Sequence, residues 1–322
     1  MNEIRVSVSI TTYNHEKYIQ DCLQSVIDQE CNFNFEIIVA EDCSTDETKK
    51  IVNRFSEEYP DIIKPIYQKQ NVGLCKNTLD VLNACSGKYI ATLDGDDCML
   101  PERLQKEFDF LECNQDVAMV FHNMQIIGEN INENTFNNSL HEKGSVINLE
   151  DFVNGGLAHW GCSSKMYRRN YLPAEGILCN LKCIEDQHFH FQIARNGKIA
   201  YIPEVLGQYR KHKSGLSQLN KKNIECAVAD LLFTYSDALR FGITRKTVNK
   251  RLSFIFYDAA CQYLMLKDYI KFKQYIIKSY ENFIFFNTKH RICFMLKELP
   301  RILFFLKTLN NYVYKIRGKQ II

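Results

Sequence analysis

The 322-residue chain is 46% apolar and 24% charged, a globular composition that excludes an intrinsically disordered polymer and leaves room for one large domain or two. Its formal charge of +2 points neither to nucleic acid nor to an acidic partner, but residues 282–322 carry +7 and leave the remainder at −5. Thirteen scattered cysteines, with no secretory apolar region ahead of the first strand and no apolar run near the ~18 residues of a membrane span, imply reduced thiols in a cytoplasmic protein.

In chain order, Val6–Thr11, Glu36–Glu41, Ile63–Gln68 and Tyr89–Leu93 read as short β-branched or apolar strands. Between them lie helical patterns at Tyr18–Gln29, Asp46–Tyr59 and Lys76–Cys85, the first with Ile19, Cys22, Leu23, Val26 and Ile27 on one face. Alternation at this spacing predicts an α/β fold with a parallel sheet and right-handed crossovers. Pro101–Asn114 reads as a helix, Val117–His122 as a buried strand, and Gly128–Gly144 as an Asn-rich connection. A helix opens at Glu185-Asp186 and runs to about Arg195, and Ile199–Ile202 and Val205–Tyr209 read as two short strands. From Lys222 the pattern is helical, punctuated at Gly242 and Pro300. The expected domains are 1–220, with a nucleotide-binding half of about 1–100 and an acceptor half of about 101–220, then a helical region 221–322.

Ligands of such sheets sit beyond the carboxyl ends of the strands. The residues there are polar and particular: Thr11-Thr-Tyr13-Asn14-His15-Glu16, then Glu41-Asp42-Cys-Ser44-Thr45-Asp46, then Asn71-Val-Gly73, then Asp94-Gly95-Asp96-Asp97. Three carboxylates around one glycine repel one another unless a cation is offered, and hard oxygen ligands suit Mg²⁺ or Mn²⁺ bridging to phosphate oxygens. The same residues also read as ordinary turn formers, Lys76 as a solvated helix residue, and Glu185-Asp186 as a first helical turn that complements the macrodipole. The scattered set Cys179, Cys183, His188 and His190 fits no common zinc module.

Taken in order, the four loops, Lys76-Asn77, Glu185-Asp186 and Tyr209-Arg-Lys-His212 resemble a family 2 glycosyltransferase over roughly the first two-thirds of the chain. The resemblance implies a GT-A type, Rossmann-like, mainly parallel sheet flanked by helices, followed by a helical C-terminal region. It also implies inverting transfer from a nucleotide-diphosphate sugar, a UDP-sugar being favoured, to a saccharide or lipid-linked saccharide in bacterial surface polysaccharide synthesis. Asp96 would be the direct ligand of Mn²⁺ or Mg²⁺, with Asp94 on ribose or a metal-bound water, and Asp97 a brace for the loop. Thr11, Asn14, Glu16 and Gly95 would be among the residues that bind the nucleotide-sugar, and Tyr13 would stack on the base, an interaction of about 1–3 kcal/mol. Asp42 would accept from the base imide, Gly73 permit close backbone approach, and Lys76 lie near base or phosphates. Arg210 and His212 would belong to a basic loop closing over the diphosphate, His212 meeting either metal or phosphate. Asp186, with Glu185 beside it, would be the catalytic base. Thr11 stands where the family often has Pro, Glu41 where Asp is usual and Cys43 where Gly is frequent.

The amphipathic, basic, aromatic-rich segment 282–322 reads as a peripheral membrane contact or as a helical bundle with a solvated basic face. Two further functional readings compete. Asp94-x-Asp96 superficially permits a phosphohydrolase, though that chemistry is expected on the first strand with a hydroxyl residue where Cys98 stands. A non-catalytic membrane-docked scaffold of the same fold is the other.

Overall fold

The computed structural model describes residues 3–128, 134–135, 146–155, 162–172, 181, 185–212, 220–285 and 287–316, with no side-chain description for 134–135, 185–186 and 309–316. The chain forms two compact units, Met1–Leu216 and Ser217–Ile322.

The first unit begins β1 (Ile4–Thr12), α1 (Ile19–Ile27), β2 (Asn34–Glu41), α2 (Thr48–Glu58), β3 (Ile63–Tyr67), α3 (Leu74–Ala84) and β4 (Tyr89–Asp94). It continues with β5 (Cys98–Met99), α4 (Arg103–Cys113), β6 (Val117–Gly128), β7 (Asn134–Thr135), β8 (Val146–Ile147), α5 (Leu149–Gly155), β9 (Lys165–Arg168), α6 (Glu185–Ala194) and β10 (Lys198–Lys211). These strands form one sheet in the order β3-β2-β1-β4-β9-β6-β10-β5, with β7 on β6 and β8 on β10.

The four strands expected from the alternation run parallel. On β1 the residues Val6, Val8 and Ile10 are buried, and so are Ser7 and Ser9 on the alternate positions, because the centre of a parallel sheet is covered on both faces. The buried polar positions are satisfied: the Ser7 hydroxyl donates to Glu36 at 2.7 Å and accepts the Gly87 amide at 2.9 Å. Gly87 has no room for a side chain, since a Cβ would lie 2.6 Å from the Ser7 nitrogen. Of the face expected on α1, Ile19, Cys22, Leu23 and Val26 are buried in the core and Ile27 is partly buried against it.

Three elements differ from the sequence pattern. The strand expected at Val117–His122 continues to Gly128 and gains a short partner at Asn134–Thr135 within the Asn-rich stretch. The two strands expected at 199–209 are one strand, β10, whose pairing with β6 is interrupted by bulges on either side of Val205. Pro203 removes one ladder donor there, which bends the strand without ending it. In α3 the helix starts two residues early, because Gly73 at φ 84° supplies the left-handed turn that reverses the chain into it.

β9 is antiparallel to both β4 and β6, a reversed strand between two that share one direction, while β5 returns antiparallel to the end of β10. The loop Gly95–Asp97 therefore leaves the end of β4 and reaches across to the end of β10.

The second unit is helical: α7 (Lys221–Ser236), α8 (Arg245–Met265), α9 (Tyr269–Asn282), α10 (Thr288–Met295) and α11 (Pro300–Ile316). Gly242 at φ 81° closes the 3₁₀ turn before α8, and Pro300 opens α11, where its missing N–H costs nothing. The Glu225 carboxylate gathers Tyr263, Tyr275 and Lys271 at 2.6–2.8 Å, tying α7 to α8 and α9.

Candidate active site

The strand-end loops of β1 and β2 are tied together by reciprocal hydrogen bonds. The Asn14 amide donates to Ser44 Oγ at 3.0 Å, and the Asn14 side chain accepts the Thr45 amide at 2.9 Å. One register further, the Glu16 amide donates to Asp46 and the Glu47 amide to Glu16, both at 3.1 Å. Asn14 and Cys43 hold positive φ values of 55° and 59°, so both loops turn sharply at matching places. It is Asp46, rather than Ser44 or Thr45, that accepts the first amide of α2, from Thr48 at 2.9 Å. Tyr13 projects from the first loop, 41% exposed, open to a planar ligand.

Asp42 links the second loop to the third. Its two carboxylate oxygens accept the amides of Val72 at 2.7 Å and Gly73 at 2.9 Å, just before α3. Burial raises its pKa, and those two amide bonds oppose the rise. The carboxylate that the sequence reading reserves for a nucleobase is thus already the clamp that shapes the Asn71–Gly73 turn. Lys76 is half exposed and pairs with Asp80 one turn along α3.

The acid loop is seated on the first loop. The Gly95 amide donates to Thr11 O at 2.9 Å, and a Cβ on Gly95 would meet Thr12 Oγ1 at 2.6 Å and His15 Nδ1 at 3.0 Å. The Asp94 amide donates to Ser163 Oγ at 2.9 Å, and Thr11 Oγ1 stands 3.4 Å from Asp94 Oδ1. Asp97 is buried and accepts the Arg210 amide at 2.8 Å, the bracing position expected of it. Burial first, and then Asp96 and Asp94, push its carboxyl well above the usual range.

From the other side comes the end of β10. Arg210 lies within the strand rather than in a loop, and its guanidinium donates to Asp96 O at 2.9 Å while packing 5.0 Å over the Tyr18 ring. His212 follows, Nε2 being 2.8 Å from Asp96 Oδ2 and the ring 4.9 Å from Tyr18 and 6.2 Å from His15. The basic segment beyond it, 213–217, lies outside the described residues.

His15, Asp96 and His212 each offer one ligand atom, all within 4.8 Å of one another, and among the described residues they form the one group of this kind. Burial lowers the His15 pKa against the pull of Asp96, and His212 lowers it further, which keeps a lone pair available on that ring. Two imidazoles and a carboxylate around so small a space fit a divalent ion. Asp94 is not in this group. His15 was overlooked by sequence reasoning, although it stands inside the first loop beside Glu16; Tyr18 and Ser163 carry no sequence signal at all.

Glu185 and Asp186 open α6, and their side chains lie outside the described residues, as do Cys179 and Cys183. Deeper on α6, the buried His190 stands 2.6 Å from the buried Lys165 of β9. Burial and that neighbour lower the His190 pKa well below its ordinary value, so its ring accepts from Lys165.

Residues 7–174 match the family model described as glycosyl transferase family 2. An uncharacterized protein of Mycobacterium tuberculosis is 30% identical over 217 residues, 66% of this chain and 60% of that protein, so the chain spans well under two-thirds of this relative's length. TuaG of Bacillus subtilis, assigned as a teichuronic acid biosynthesis glycosyltransferase, is 26% identical over 243 residues, 75% of this chain and 91% of TuaG. Among solved structures, S. aureus TarS residues 1–349 in complex with UDP-GlcNAc superimposes with a TM-score of 0.66 at 19% identity, covering 99% of this chain and 93% of that one.

Proposed function

This chain belongs to glycosyl transferase family 2 and has its GT-A fold, and from that premise we propose a metal-dependent, inverting transfer of a hexosyl or N-acetylhexosaminyl group from a nucleotide-diphosphate donor. The acceptor is a hydroxyl of a saccharide or lipid-linked saccharide in assembly of a bacterial surface polysaccharide, on the cytoplasmic side. The observation that carries this reading is the His15–Asp96–His212 group at the carboxyl ends of parallel strands, beside a first loop that carries the exposed ring of Tyr13. The names of TuaG and of the UDP-GlcNAc complex of TarS support the substrate class. Family membership also favours transfer over the phosphohydrolase reading, and the His15–Asp96–His212 group, which scaffolding alone would not need, disfavours a non-catalytic scaffold.

In this scheme Asp96, His15 and His212 would hold the ion, and Asp94 would take the ribose or a water beside it. Mg²⁺ keeps oxygen ligands and several waters, so a set with two imidazoles favours Mn²⁺. When bound, the ion neutralises charge that develops on the departing diphosphate. Arg210 is held by its own bonds to Asp96 and Asp97, so its guanidinium is positioned before the donor arrives and adds to that field. Tyr13 stacks on the base, favoured as uracil; Asp42 accepts from it, and Lys76 approaches base or phosphates. Asp186 takes the acceptor proton on the face opposite the leaving group, with Glu185 beside it.

Thermal unfolding with UDP-, GDP- and dTDP-sugars, with and without Mn²⁺, tests the donor half. One nucleotide class should stabilise the protein more with Mn²⁺, and Asp96→Asn should erase that increment. Asp186→Asn should keep the stabilisation and lose about 10²–10⁴-fold in transfer rate. A fully active Asp186→Asn enzyme overturns the assigned base, and stabilisation by none of the three classes overturns the donor site.

A further inference from the structure

The helical unit exposes a run of large apolar side chains along its last two helices. Ile292 and Met295 on α10, Leu299 in the connection, and Ile302, Phe305 and Leu306 on α11 are all exposed, Met295 by 65% and Phe305 by 62%. Spacing of three or four residues puts Ile292 and Met295 on one face of α10 and Ile302, Phe305 and Leu306 on one face of α11, with Leu299 in the turn between. Isolated exposed apolar residues need no explanation, but six in one run do.

The run is bordered by one sign of charge. Lys289, Arg291, Lys297, Arg301 and Lys307 lie along residues 288–308, against a single acid, Glu298, which is already paired with Lys273 at 2.7 Å. A second copy of the same face would bring these cations together, which opposes self-association. Nucleic acid would match the charge but leave the apolar side chains without a partner, since its binders pair basic residues with stacking aromatics or polar contacts. An anionic lipid surface satisfies both features: acyl boundary for Ile, Leu, Met and Phe, headgroups for Lys and Arg. No helix among the described residues is long and apolar enough to cross a membrane, so such contact would lie in the interface plane.

We infer that α10 and α11 form an interfacial docking surface for an anionic bilayer, with Met295 and Phe305 as its inserted anchors. Each supplies flexible or planar apolar area at the most exposed points of the run, and Lys289, Arg291 and Arg301 supply attraction that salt weakens. The inference gives the proposed transferase a lipid-facing surface but stands apart from its chemistry, because vesicle binding is read without donor or acceptor.

The test is co-sedimentation of the full chain with vesicles of phosphatidylcholine alone and with added phosphatidylglycerol. Binding should require phosphatidylglycerol and fall with salt. Met295→Ser with Phe305→Ser should weaken it by about tenfold or more, from the lost apolar burial. Lys289→Gln with Arg301→Gln should weaken it by a similar factor through the charge. Neither pair should alter the unfolding temperature or the Mn²⁺-dependent response to nucleotide. Absence of binding to phosphatidylglycerol vesicles, equal binding to both vesicle types, or a dimer in sedimentation velocity that Phe305→Ser dissolves would each overturn it.

Discussion

Glu36 is 1% exposed at the base of the sheet, where it receives Ser7, the Ser86 amide and hydroxyl, and Lys64 at 2.6–2.8 Å. Burial works to raise its pKa, yet Lys64, Ser86 and Ser7 overcome it and hold the carboxyl at about 2. A carboxylate depressed from an unfolded value near 4.3 contributes its stabilisation in full above about pH 5 and loses it as pH falls towards 2. Glu36→Gln should therefore cost on the order of 2–3 kcal/mol at neutral pH. Urea unfolding of both proteins at pH 7 and pH 3 checks this: the gap should narrow sharply at the lower pH, and an unchanged gap would mean that ionisation is not its source. At this scale the sequence was informative where chemistry is local. The resemblance gives Asp94, Asp96 and Asp97 separate tasks, and of these the bracing by Asp97 has a counterpart in its bond to the Arg210 amide. His15 could not be singled out, because its importance depends on His212, nearly two hundred residues away. Asp42 illustrates the opposite limit: its identity pointed to a ligand, while its two bonds to the Val72 and Gly73 amides give it a structural duty that no local pattern announces.

Among the elements, α4 is fastened to the sheet at its first turn by the buried Arg103. Arg103 donates from Nη2 to Thr92 O at 3.0 Å and Lys165 O at 3.3 Å, and from Nε to Glu107 at 3.2 Å, with both members of the pair fully buried. Burial raises the Glu107 pKa to about 7 in spite of Arg103, so the pair is one whose parts cannot be removed singly without loss. Arg103→Met should destabilise by about 3–5 kcal/mol, leaving Glu107 buried without its partner, whereas Arg103→Met with Glu107→Leu should recover much of that. Denaturant titration of the two variants distinguishes them, and equal destabilisation would show that the carbonyl bonds to β4 and β9, not the ion pair, carry the cost. Thr92 is two residues before Asp94, so the same variants report on how firmly the acid loop is seated. The early strands and helices were legible because each is set by its own hydrophobic period. The insertion of β9 between β4 and β6, and the pairing of β5 with β10, were not, since strands of two to four residues hold their places through distant partners. The merging of two expected strands into β10 has the same origin, a ladder on β6 strong enough to carry the chain past Pro203.

Across the whole molecule the candidate chemistry and the lipid-facing surface fall on different units. Every candidate residue for donor, metal and base lies between Thr11 and His212, within Met1–Leu216, whereas α10 and α11 lie within Ser217–Ile322. The first unit has its own core, in which β1, β2 and β4 contribute Val8, Ile10, Val39, Tyr89 and Leu93 under α1 and α4. The second has its own buried set, including Ile255, Ala259, Phe272 and Ile276 on α8 and α9. With separate cores, the two tasks should be separable by truncation. A polypeptide of residues 1–216 is expected to fold, to bind the stabilising nucleotide with Mn²⁺ at an affinity within about threefold of the full chain, under 1 kcal/mol by the standard affinity relation, and to lose phosphatidylglycerol binding. Circular dichroism establishes folding, and calorimetric titration reads the affinity. A folded fragment that binds no nucleotide would mean that the helical unit contributes to the donor site, and a fragment that still sediments with anionic vesicles would move the docking surface to the sheet-bearing unit.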